Sequence, residues 1–198
     1  MFGGVLKRLR ELLLMDDHVC PWWLAYSFDN PIRRILHPPE KVLGSLVHQG
    51  CTALDIGCGM GHFTMGMAKM VGDHGRVIAV DIQEPMLERV RRRARHQGLT
   101  ERLILHKGDV EGLEMNGQVD FALAFWMVHE VPDQLAFFKA VKDLLKPDGR
   151  FLVAEPKIHT SEADIDRSLK IASQAGLAVC ANPGISLSRT ALLIHQGQ

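Results

Sequence analysis

From residue 50 onward, short apolar runs take turns with amphipathic helical patterns, and that alternation limits the fold more than any other feature of the chain. Strands separated by helix-length segments pair in parallel, so the pattern specifies a parallel sheet with crossover helices. The runs are CTALDI (51–56), RVIAVDI (76–82), RLILHKGD (102–109), VDFALAF (119–125) and GRFLVAEP (149–156). GHFTMGMAKMVG reads as the helix behind the first run, ended by Gly72. EPMLERVRRRARHQG follows the second, with Pro85 in its first turn and Gly98 as its stop. PDQLAFFKAVKDLLKPDG gives a helix ending before Pro147. A helical pattern over 161–175 then leads into GLAVCANPGISLSRTALLIHQ, where an Asn-Pro-Gly turn signal separates two apolar runs with no room for a helix. Two strands so joined are antiparallel. The expected fold class is therefore α/β, an open and mainly parallel sheet with a reversed last strand.

The 198 residues suit one domain with a sizeable core. Lys+Arg and Asp+Glu both number 23, so no basic face is indicated for a nucleic-acid polyanion, and no nucleic-acid partner is expected. The densest basic stretch, RVRRRAR (89–95), reads as a solvated helix face. Cys20, Cys51, Cys58 and Cys180 are scattered, without CxxC or paired Cys/His spacing, so reduced thiols and no metal are expected. An arsenic-binding thiol site finds no support in that spacing. No apolar run reaches the roughly 18 residues of a membrane span. The opening MFGGVLKRLRELLLMDD breaks its apolar stretch with charge and lacks a small-residue cleavage site, which argues against a secretory signal and for the cytoplasm. Its apolar spacing (Val5, Leu6, Leu9, Leu12, Leu13) suits an amphipathic helix lying on the domain or on a partner, and it could serve a homodimer. Residues 1–45 are read as an N-terminal helical extension acting as a substrate lid, and residues 46–198 as the core domain.

In an open parallel sheet, ligands bind beyond the carboxyl ends of the strands. LDIGCGMGHFT (54–64) lies at such an end, with Gly57, Gly59 and Gly61 at every second position. A dinucleotide fingerprint, G-x-G-x-x-G, would need its third glycine at His62. Asp55 stands before the first glycine, and a carboxylate there suits a cofactor with a positive centre more than a pyrophosphate. The second run ends in Asp81, placed to accept hydrogen bonds from two ribose hydroxyls, and Ile82 offers an apolar flank for adenine. The third ends in KGDV, presenting Asp109 to an adenine amino group and the Val110 amide to a ring nitrogen. Each acid alone could cap a turn; three at successive strand ends make a site.

These residues resemble the class I S-adenosylmethionine-dependent methyltransferases. LDIGCGMG is similar to their first motif, VIAVDI to their ribose-binding strand end, GDVEGL to their adenine motif and LKPDGRFLVAEP to their fifth-strand signature. FWMVHEVPD is similar to the loop after the fourth strand in the ubiquinone/menaquinone-biosynthesis branch, which acts on small molecules. The resemblance spans roughly residues 40–195. It implies a Rossmann-like sheet of seven strands with helices on both faces and the last strand reversed. It implies that Gly57 and Gly59 line the methionine portion of S-adenosyl-L-methionine with Cys58, Met60 and Gly61 alongside, and that Ala124 joins the cofactor-binding set.

Methyl transfer from a sulfonium is an in-line displacement, to which an enzyme contributes alignment, desolvation and, where needed, proton removal. His129 is the candidate base, since an imidazole titrates near neutral pH. Capping the following helix or lining the cofactor is the other reading, and both stay open. Neighbouring Glu130 reads as solvent-facing. The Asn/Asp-Pro-Pro-aromatic run of amide and adenine methylases is absent; AFWMV stands there, and Phe125 and Trp126 would make an apolar mouth for a small, apolar or uncharged acceptor. They could equally be packing residues. In the stretch CPWWLAYSFDNPIRRILHPPEKVL (20–43), Tyr26, Phe28 and Arg33 are the acceptor-pocket candidates, whereas Trp22 and Trp23 read as packing. The expected function is methyl transfer to a small acceptor. The alternative is a catalytically inactive cofactor-binding protein or partner-dependent subunit, with a nicotinamide oxidoreductase a distant third.

Overall fold

The computed structural model describes residues 35–110, 112–113 and 117–197. They build a seven-stranded sheet in the order β3-β2-β1-β4-β5-β7-β6. The strands are β1 (Thr52–Ile56), β2 (Arg76–Asp81), β3 (Leu103–Lys107), β4 (Val119–Phe125), β5 (Leu145–Pro156), β6 (Leu177–Ala181) and β7 (Ser188–His195). β1 to β5 pair in parallel, and β7 runs antiparallel to both β5 and β6. The antiparallel tail is therefore as the Asn-Pro-Gly turn predicts, with β7 inserted between β5 and β6.

The central strands are buried on both faces, which is why they read as continuous apolar runs. On one face Ala53, Val77 and Leu123 pack with Phe63, Met67, Leu87 and Val90. Those last four belong to helices α2 (His62–Met70) and α3 (Glu84–Gln97), and the short α1 (Pro39–Leu43) adds Leu43 to the same cluster. On the other face Leu54, Ile78, Ala122 and Val153 pack with Phe138, Val141 and Ile165. These come from α4 (Gln134–Leu144) and α5 (Glu162–Gln174).

Local chemistry sets the helix ends. α3 carries Pro85 in its first turn and stops at Gly98, whose φ of 67° lies in the left-handed region. The Asp133 side chain caps α4 by accepting from the Ala136 N–H at 3.0 Å. Ser161 and Asp164 form a reciprocal capping box at the start of α5. One boundary differs from the sequence reading, which starts the fifth strand at Gly149. β5 begins at Leu145, opposite Val119, and the register then shifts so that Phe121 faces Arg150. The sequence reading carries the preceding helix to Lys146 and leaves Pro147 and Asp148 between elements, yet the backbone bulges through this stretch and continues the ladder.

Candidate functional site

The carboxyl ends of β1, β2, β4 and β5 lie side by side, and the loops that follow them make the site. After β1 the chain turns through Gly57 (φ 64°), Gly59 (φ 52°) and Gly61 (φ 81°). Packing as well as conformation requires glycine at two of them. A Cβ on Gly57 would come within 3.0 Å of Met127 Cγ, and one on Gly61 within 2.9 Å of Val90 Cγ2. The loop thus lies against the turn after β4 on one side and against α3 on the other.

Hydrogen bonds fix that path. The Gly59 N–H donates to Asp81 Oδ2 at 2.9 Å, and the Gln83 N–H donates to Oδ1 of the same carboxylate at 2.9 Å. Each Asp81 oxygen keeps acceptor capacity after one such bond, as two ribose hydroxyls would need. Asp81 is buried, and burial raises its pKa while the Gln83 and Gly59 amides oppose the rise. Asp55, at 3% exposure, accepts the Thr64 hydroxyl at 2.5 Å and so ties the end of β1 to the first turn of α2. Cys58 is buried between these two acids. Burial first, then the charges of Asp55 and Asp81, pushes its thiol pKa well up, so it stays protonated.

The other residues expected to meet the cofactor are arranged around this turn. Ile82 is half exposed, as an adenine flank requires. Asp109 is exposed and Val110 buried; Asp109 Oδ1 accepts the Gly112 N–H at 2.8 Å, so the acid also closes its own turn. Met60 is buried, and Ala124 is fully enclosed in β4. The basic stretch departs from a solvated face: Arg93 reaches back to donate to the Met60 carbonyl at 2.6 Å, and Arg91 pairs with Glu88. Helical spacing alone could not single out Arg93, because its partner lies 33 residues away.

The turn after β4 is held from the opposite side. Trp126 has a left-handed φ of 63°, a sparsely populated state for a side chain of this size. Its N–H donates to Ala154 O at 2.7 Å, and its indole Nε1 donates to Ser188 Oγ at 2.9 Å. Phe125 is 6% exposed and packs in an aromatic cluster, 4.5 Å from Phe63, 5.2 Å from His37 and 5.4 Å from Trp126 between ring centroids. His37 donates through Nε2 to Ser186 O at 2.7 Å, and His62 donates to His37 O at 2.7 Å. His37 was not singled out in the sequence, where nothing local marks it. Tyr26, Phe28 and Arg33, with Trp22 and Trp23, lie outside the described residues.

His129 sits in a short 3-10 turn, Val128–Glu130. Its Nδ1 meets Glu155 Oε2 in a short contact, and the same carboxylate accepts the Val128 N–H at 2.9 Å and the His129 N–H at 3.3 Å. The hydrogen bond to Glu155 raises the His129 pKa, burial opposes it, and the charges of Glu155 and Glu130 add to the rise. Glu130 Oε1 lies 3.8 Å from His129 Nε2, so that acid is turned toward the imidazole. Glu155 was missed in the sequence reading, where it stood only as part of the fifth-strand signature.

This geometry meets the comparisons with known proteins. A family model described as a methyltransferase domain matches residues 47–182. The chain belongs to that family. Its glycine turn, the acid that ends β2 and the reversed terminal hairpin therefore belong to a methyltransferase domain, Rossmann-like in fold. The domain is similar to the demethylmenaquinone methyltransferase of Lactobacillus johnsonii, 34% identical over 110 residues, covering 55% of this chain and 45% of that protein. It is also similar to the S-adenosyl-L-methionine-dependent Diels-Alderase iccD of Talaromyces variabilis, 34% identical over 141 residues, 67% of this chain and 45% of that protein. The match spans a little under half the length of these curated relatives. Among solved structures, a SAM-dependent methyltransferase from Aquifex aeolicus shares the fold with a TM-score of 0.79, 24% identity and coverage of 88% of this chain and 98% of that one.

Proposed function

We propose that this chain is an S-adenosyl-L-methionine-dependent methyltransferase that alkylates a small, apolar or uncharged acceptor. The observation that carries the reading is the clasp between the Gly59 N–H and the buried Asp81 carboxylate, 2.9 Å long, at the adjoining ends of β1 and β2. In this reading Asp81 holds the ribose hydroxyls, Ile82 flanks the adenine, and Asp109 with the Val110 amide reads the adenine edge. Gly57 to Gly61 line the methionine portion, and Asp55 lies on the side of the positive centre. Held there, the cofactor would supply an electrophilic methyl group for the acceptor's electron pair, with S-adenosylhomocysteine as the other product.

The chain's own residues contribute alignment and the handling of a proton. Trp126 and Phe125 support the apolar acceptor side, and the His129 imidazole takes the acceptor's proton where one must leave. Residues 1–45, including Tyr26, Phe28 and Arg33, act as the lid that selects the acceptor. A cytoplasmic enzyme, alone or as a homodimer, fits this reading; among the described residues no helix is long and apolar enough to cross a membrane.

The family similarity to a demethylmenaquinone methyltransferase favours reduced quinones as first acceptors to try. A relative named for a Diels-Alder reaction makes it necessary to follow the methyl and not binding alone. The test is transfer of labelled methyl from S-adenosylmethionine to hydroquinones and phenols. Formation of labelled product with stoichiometric S-adenosylhomocysteine is expected. Tight cofactor binding without transfer across such a panel would favour the non-catalytic or partner-dependent alternative.

A further inference from the structure

Glu155, the penultimate residue of β5, is 2% exposed, yet its carboxylate faces four donors. Oε1 accepts the Val128 N–H at 2.9 Å. Oε2 accepts the His129 N–H at 3.3 Å, the Thr160 hydroxyl at 3.4 Å and the short contact from His129 Nδ1. A buried carboxylate is tolerated only when so satisfied, and an ionised one accepts without donating. The hydrogen on the imidazole must then sit on Nδ1, which leaves Nε2 as the nitrogen with a free electron pair. An isolated neutral histidine is under no such constraint.

We propose that Glu155 is the positioning residue of the reaction, fixing His129 as the Nδ1–H tautomer so that Nε2 can receive the acceptor's proton. The proposal rests on the methyltransferase reading and on His129 as its base. The proton passes from the acceptor to Nε2 while Nδ1–H stays on Glu155, and the imidazolium returns it to solvent from Nε2 afterwards. Nothing is oxidised or reduced, and the Nδ1–H bond to the carboxylate is kept throughout, as in other histidine–carboxylate pairs. Among the described residues, the charged and titratable groups facing the ring are Glu155 from β5, Glu130 on its own turn, and His159, whose ring stacks at 6.3 Å. The two acids favour imidazolium, so the base form emerges only as pH rises through a value above the ordinary one.

Nitrogen-15 NMR of the full chain across pH tests this without knowing the acceptor. In the wild type, neutral His129 is expected to carry its proton on Nδ1. In Glu155→Gln its titration midpoint should fall by about one pH unit, roughly tenfold in proton affinity, with the proton moving toward Nε2. A wild-type His129 protonated on Nε2 when neutral would overturn the proposal, as would an unchanged midpoint in Glu155→Gln. If that variant does not fold, the wild-type tautomer alone decides. Calorimetry with S-adenosylmethionine on the same sample separates the two readings. A wild-type chain that does not bind it contradicts the cofactor site, whereas the histidine titration judges the pair.

Discussion

The two halves of the site are built by different means. At the ends of β1 and β2, the backbone does most of the work: positive φ at three glycines, and amide donors from two loops closing on Asp81. At the ends of β4 and β5, side chains reach across to distant segments: Trp126 to the Ser188 hydroxyl, His37 to the Ser186 main-chain carbonyl and His129 to the Glu155 carboxylate. The first half is a cradle whose shape is fixed by conformations that few residues adopt. The second is a junction whose shape depends on which side chains arrive. A cradle of the first kind suits a ligand that never changes, and a junction of the second kind can be altered one residue at a time.

That contrast can be broken most severely at Asp81. Replacing it with Ala removes the loop clasp and the proposed ribose bonds together, and should weaken S-adenosylmethionine binding by about 1.5–3 kcal/mol, the scale of bonds to a charged group. Unchanged affinity in a titration would show that the cradle does not depend on this acid. Gly57→Ala should cost about 1–3 kcal/mol of stability through its left-handed backbone, with the added Cβ pressed on Met127. A melting curve matching wild type would refute the strain.

Smaller effects probe the junction and the clamp. Arg93→Met leaves the Met60 carbonyl without its guanidinium partner, and cofactor affinity should fall by a factor of about ten, near the lower end for a charged bond. Equal loss in Arg92→Met, an exposed neighbour, would point to general charge instead of the clamp. Trp126→Phe deletes the bond to Ser188 and should cost about 0.5–1.5 kcal/mol of stability. Cofactor affinity should barely change, because that bond lies in the half proposed for the acceptor.

A pH series sharpens the comparison further. The folded-state pKa of His129 is raised, chiefly by its bond to Glu155. Its contribution to stability is therefore complete below the unfolded value near 6.5 and is lost as pH rises through the folded one. The difference in melting temperature between wild type and His129→Gln should shrink across that window. A gap that is constant with pH would mean the pair does not titrate there.

The same contrast explains what could be read from sequence. Asp55, the three glycines and Asp81 announce themselves because strand ends and glycine spacing are local signals. The reversed strand was legible for the same reason, since a turn at 182–184 leaves no room for a crossover. Glu155 was hidden because a buried acid at a strand end looks like any other polar stop; its meaning lies in donors 26 and 27 residues earlier. Arg93 was hidden within a run of like charges, where helical periodicity does not show that one side chain folds back over the loop. The left-handed Trp126 could not be foreseen, because only the surrounding packing makes that conformation affordable.

The most direct test is calorimetric titration of the full chain with S-adenosylmethionine, S-adenosylhomocysteine and NADH, with Asp81→Ala in parallel. Saturable one-site binding of the first two, none of NADH, and clear weakening in the variant are the predicted result. NADH binding, or S-adenosylmethionine binding indifferent to Asp81, would contradict the assignment of the β1–β2 cradle.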